Sequence, residues 1–121
     1  MLESPLFIVP VSTSLICIAA GYYMLKKPPK NINHFYGYRT KKSMKNQENW
    51  EFSQRFAAQS MIKWGVIYLF TSLLVFFVEL EMKWEISLAL ALMFIFVLIP
   101  VIETEKALNK MNSDEEKKLK R

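Results

Sequence analysis

The residues best suited to chemistry lie between two apolar stretches, in the segment from Pro28 to Ser60. Arg39 sits between Tyr38 and Thr40, with Asn33, Tyr36 and Gly37 just before it and Ser43, Asn46 and Trp50 just after. A guanidinium is a planar fork that grips phosphate or carboxylate with two parallel hydrogen bonds. Tyr36 and Tyr38 could flank such an anion while Asn33 and Thr40 supply neutral hydrogen bonds. Gly37 is free to take positive φ and bring the backbone close to a partner. A plainer reading makes Tyr36, Tyr38 and Trp50 interfacial belt residues, with Arg39 and the lysines on anionic lipid headgroups at about 1 kcal/mol per cation.

The remaining catalytic inventory is thin. His34 is the only histidine, so neither a metal cage nor a Ser-His-Asp triad can be assembled around it, and a lone acid or base acting on a headgroup beside Arg39 is the enzymatic alternative. Cys17 is the only cysteine, which excludes an intrachain disulfide and reads as a small packing residue. No Gly-rich phosphate loop, zinc-binding His-Glu helix or Ser-x-x-Lys pair occurs. The residues therefore predict a non-enzymatic protein without metal or cofactor.

What must position this segment is helical and membrane-spanning. Of the 121 residues 52% are hydrophobic, yet 16 Lys+Arg and 11 Asp+Glu leave a net charge of +5. Every charge falls outside the blocks Leu6 to Leu25, Trp64 to Val78 and Ile86 to Ile102. A soluble domain would spread its apolar residues at helix or strand period, so this segregation excludes a soluble catalytic domain. The hydrocarbon core needs roughly 20 helical residues, with about 17 as the lower end. The spacing predicts three spans, about 6–25, 61–78 and 86–102, the second requiring Lys63 to snorkel toward headgroups. The expected fold is all-α, a single membrane domain over residues 1–121, with a loop at 26–60 and a tail at 103–121. The first block lacks a basic leader and is long for a signal peptide, so it is expected to be retained as a helix.

Charge sets the orientation. Between the first two apolar blocks lie nine Lys and Arg residues, from Lys26 to Lys63, and the tail adds six more, whereas Glu79 to Glu85 holds Lys83 alone among Glu79, Glu81 and Glu85. Cationic segments stay on the cytoplasmic side, which puts the N-terminus out and the C-terminus in. The outer glutamates could attract a cationic peptide. The basic loop, tied to the membrane at both ends, suits anionic lipid better than nucleic acid. No Asp, Glu, Lys, Arg or His lies in the blocks, which argues against a self-contained transporter.

Local signals add detail. Pro28 and Pro29 end the first helix, and Ser43 or Asn46 can cap a helix that runs through Trp50 and Phe56 into the second span. Thr13, Cys17 and Gly21 form a small-residue face for a close helix neighbour, in this chain or in a second copy as a homo-oligomer. Pro10 and Pro100 lie near span ends, and the tail should extend the third helix.

The run Asn33-His34-Phe35-Tyr36-Gly37-Tyr38-Arg39-Thr40, followed by Ser43, Met44, Asn46 and Trp50, resembles the signature loop of the SdpI family of small bacterial membrane proteins. Where that family often shows Asn and then Gly after the Trp, this chain has Ser53 or Gln54 and Ala57 or Ala58. The resemblance implies a multi-pass protein of the bacterial cytoplasmic membrane that confers immunity to a secreted peptide toxin. It also implies an alternative signalling role, in which the protein holds a cytosolic transcriptional repressor at the membrane.

Overall fold

The computed structural model describes residues 2–120 and contains three long helices, α1 (Pro5–Lys26), α2 (Gln47–Phe70) and α3 (Met82–Leu119), with no strand among the described residues. All three are long and apolar enough to cross a membrane.

Each boundary has a local cause. Ser4 caps α1 by accepting from the Leu6 amide at 3.2 Å, with Pro5 in the first turn, where a missing N–H is harmless. The helix closes with the Lys27 amide on the Tyr23 carbonyl, and Pro28 cannot continue it. Of the two caps open to α2, the structure uses Asn46, whose side chain accepts from Asn49 N–H at 2.7 Å. The helix then runs unbroken through Trp50 and Phe56, as the spacing predicts. It does not stay α-helical to residue 78. Thr71–Phe76 winds as a 3-10 helix, where the Thr71 and Ser72 hydroxyls bond back to the Tyr68 and Leu69 carbonyls at 2.6 and 2.7 Å. The tail continues α3 without a break. At 38 residues this helix is about 57 Å long and must project well beyond a hydrocarbon layer of about 30 Å.

α1 and α2 pack as an antiparallel pair through small residues. A side chain at Gly21 would meet the Ala58 carbonyl at 2.7 Å and Ile62 at 2.8 Å, so the backbones touch there only because the side chain is absent. Of the two neighbours open to the Thr13, Cys17 and Gly21 face, α2 of the same chain occupies the position at Gly21. α3 closes the bundle, with Tyr68 stacked on Phe96 at 4.9 Å and an interplanar angle of 9°. Near the hairpin Leu6, Val75 and Ala89 form the buried cluster. Ile16, Phe70, Phe77 and Phe94 point outward, the arrangement expected where lipid is the solvent.

Candidate functional site

The loop between α1 and α2 folds on itself before it meets the helices. Asn33 bends it, its side-chain oxygen accepting from the Phe35 and Tyr36 amides at 2.9 and 2.7 Å. Tyr36 donates to the Lys27 carbonyl at 2.6 Å and sets its ring edge-on against Tyr23. Gly37 has φ +107, a conformation that strains any other residue, and a side chain there would strike Pro29 and the Gln54 amide. Ser43 ties the next turn, accepting from the Thr40 amide at 2.8 Å.

Three side chains of α2 then lock the loop to the bundle. Gln54, almost fully buried, makes a reciprocal pair with the Tyr38 backbone, accepting from its N–H at 2.6 Å and donating to its carbonyl at 2.7 Å. Trp50, with no exposed surface, donates its indole N–H to the Pro29 carbonyl at 2.7 Å. Asn49 holds the Lys42 carbonyl at 2.9 Å. These bonds satisfy backbone groups of an irregular segment that would otherwise be buried unpaired at a cost of about 1–3 kcal/mol each.

A further anchor lies on α3. Glu105 accepts from the Tyr38 and Thr40 hydroxyls, both at 2.6 Å, and the Lys42 ammonium lies 3.8 Å from its other oxygen. Burial, then the hydrogen bond to Glu105 and its charge, holds the Tyr38 phenol well above its ordinary value. Two residues nearer the membrane, Glu103 accepts from Ser60 at 2.7 Å and from Lys63 at 3.3 Å. The tail also runs beside the start of α2, where hydrogen bonding and charge from Glu115 raise the Glu48 carboxyl.

The structure thus brings Asn33, Tyr36, Gly37, Tyr38, Thr40, Ser43, Asn46 and Trp50 into one network, and the polar groups expected to receive an anion make bonds within the chain. Arg39 is separate: it is exposed and its guanidinium donates to the His34 carbonyl. Sequence reasoning missed Gln54, Asn49, Glu103 and Glu105. Gln54 fills the place noted as a departure from the family pattern, and the two glutamates follow directly on the third apolar block. At the opposite end Glu79, Glu81 and Glu85 share an open pocket of about 620 Å³ with Glu3 and Ser4. Glu85 there accepts from Ser4 at 3.1 Å, and Glu81 lies at the N-cap of α3.

Three apolar helices joined at one end by a polar clasp define a small helical membrane protein. The sequence model of the SdpI/YfhL protein family matches residues 30–104, taking in the loop, α2 and the apolar part of α3, and the chain belongs to that family. It is similar to Uncharacterized protein YfhL of Bacillus subtilis (strain 168), with 42% identity over 52 residues, 43% of this chain and 47% of the relative. The match spans about half the length of that curated relative. No solved structure matches the chain.

Proposed function

We propose that this is a non-enzymatic, multi-pass protein of the bacterial cytoplasmic membrane that protects its host against a secreted, membrane-active peptide toxin. Family membership supports the class. The carrying observation is that the motif's hydrogen bonds close within the chain through Gln54 and Glu105, so the motif acts as a clasp holding three helices together. Contact with a toxin then falls to the lipid-facing helix surfaces and to the acidic pocket of Glu79, Glu81 and Glu85. The excess of Lys and Arg in the loop and tail supports an orientation with that pocket outside, where a cationic peptide arrives.

The test is survival of a toxin-sensitive bacterium expressing the protein, challenged with a cationic peptide toxin of the membrane-active kind, with membrane abundance followed by an epitope tag. The wild type is expected to protect. The Glu79→Gln, Glu81→Gln, Glu85→Gln triple variant should lose much of that protection at equal abundance, while Arg39→Ala keeps it. Absence of protection by the wild type at full abundance would overturn the reading.

A second reading has its own observation. α3 projects beyond the bilayer as an arm of mixed charge with Lys106, Lys110, Lys117 and Lys118 exposed, cations suited to docking a soluble regulator. Recovery of the same cytosolic regulator with the full chain, and its loss when these four lysines become glutamine, would favour it. Equal recovery with both forms would sink it.

A further inference from the structure

Beside the clasp lies an open pocket of about 700 Å³ between the end of α1, the Pro28-Pro29 turn and one face of α2. Met24, Leu25 and Pro29 make its apolar wall, and Lys30, Glu51 and Arg55 supply its charges. The wall is fixed in advance: Trp50 holds the Pro29 carbonyl, and bare Gly37 lets Pro29 and Gln54 close up behind it. Its depth follows from helix pairing. Gly21 lies against Ala58 and Ile62, so one further turn of α1, at Leu25 and Lys26, is level with Arg55. The apolar block ends at Leu25, which sets Arg55 at the depth of lipid headgroups.

The charges in this pocket are not matched with one another. Glu51 and Arg55 are four residues apart on α2, the spacing at which opposite charges usually pair, yet among the described residues none of Lys30, Glu51 and Arg55 forms an ion pair. Glu51 instead accepts from the Gln47 amide at 3.1 Å. Two cations and a carboxylate, held apart around an apolar wall at the interface, complement a headgroup that carries both signs.

We propose that this pocket seats the headgroup of an aminophospholipid from the bilayer. Arg55 and Lys30 hold the phosphodiester, Glu51 receives the primary ammonium, and the glycerol and upper acyl chain lie along Met24 and Leu25. A bare anionic lipid would leave Glu51 facing negative charge, and a quaternary ammonium would bring it no N–H donor. The site depends on the membrane setting and is independent of the toxin reading.

The test titrates the full chain in mild detergent with the dioctanoyl forms of phosphatidylethanolamine, phosphatidylcholine and phosphatidylglycerol, and with water-soluble glycerophosphoethanolamine. Binding is read by native mass spectrometry and by the shift of the unfolding midpoint. The ethanolamine lipid should bind about tenfold more tightly than either other lipid, and the soluble headgroup more weakly than all three. Arg55→Ala should weaken that binding about tenfold. Glu51→Gln should erase the preference for ethanolamine over choline while retaining binding. Both side chains are exposed, so neither change opens the core. Equal binding of the three lipids, tightest binding of the glycerol lipid, binding of the soluble headgroup as tight as that of the lipid, or wild-type behaviour of both variants would each overturn the proposal.

Discussion

The two ends of the bundle are held by different forces. At the loop end Gln54, Trp50 and Glu105 reach from two helices to backbone and hydroxyl groups of one irregular segment, all within 2.6–2.7 Å. At the hairpin end, among the described residues, a single side-chain hydrogen bond crosses between elements, Ser4 to Glu85 at 3.1 Å. There the helices meet through Leu6, Val75 and Ala89. In a bilayer apolar contact between helices gains little over contact with lipid tails, so packing of this kind holds helices together weakly. Directional bonds at the interface do more to set which helices are neighbours and in what register. The loop is therefore the rigid end of the molecule, and the hairpin end, with its 3-10 turn and acidic pocket, is the end free to adapt to a partner.

The largest expected effect comes from the centre of the clasp. Trp50→Ala removes a fully buried ring and leaves the Pro29 carbonyl without its donor, and should destabilise the protein by about 3–5 kcal/mol. Trp50→Phe keeps an aromatic ring but gives up the indole N–H and part of its volume, and should lose less, about 1–3 kcal/mol for the hydrogen bond and the small void together. Unfolding midpoints in a mixed-detergent titration would measure both. If Trp50→Ala lost less than about 1 kcal/mol, the contrast between the ends would fail.

A smaller effect is expected where the loop meets α3. Tyr38→Phe removes one hydroxyl from a carboxylate that also holds Thr40, and should cost about 1–2 kcal/mol, the low side for a charged acceptor because the pair is partly exposed. It should also alter the alkaline response. Burial, and then Glu105, raises the Tyr38 phenol above its ordinary 10.0, so the folded state favours the neutral, donating form. That contribution is complete below the ordinary value and is lost as pH rises through the raised one. The unfolding midpoint should fall as pH climbs past 10.0, and fall less steeply in Tyr38→Phe. Identical slopes would detach Tyr38 from the clasp.

How much of this was legible follows the range of each interaction. The three helices were, because lipid requires uncharged runs of a given length and the sequence supplies Leu6 to Leu25 and Ile86 to Ile102 whole. The start of α2 was legible too, since Asn46 and Glu48 act within one turn. Within the loop Gly37 announced its backbone, and Asn33 through Trp50 were singled out as a cluster. Their partners were not legible. Gln54 stands where the family pattern departs and Glu105 is one charge in a tail expected to extend the third helix. The choice of a partner 16 or 67 residues away from Tyr38 is made by helix packing. The 3-10 winding of Thr71–Phe76 escaped for a related reason, since an apolar run specifies depth and length but not the pitch of its last turns.

The smallest expected effect tests the loose end. Ser4 does two things there, accepting from the Leu6 amide and donating to Glu85. Ser4→Ala removes both and should destabilise by about 1 kcal/mol, the ordinary value of a lost N-cap. Ser4→Asp keeps the cap but sets a second carboxylate against Glu85, so comparing the two separates the cap from the link between α1 and α3. If the hairpin end is held by apolar contact alone, Ser4→Asp should unfold like the wild type within about 0.5 kcal/mol, screened by solvent at the pocket mouth. A loss as large as that of Ser4→Ala, although the cap is kept, would mean that the bond from Ser4 to Glu85 carries the stability, making this end a second, smaller clasp and limiting how far the acidic pocket can open for a cationic peptide.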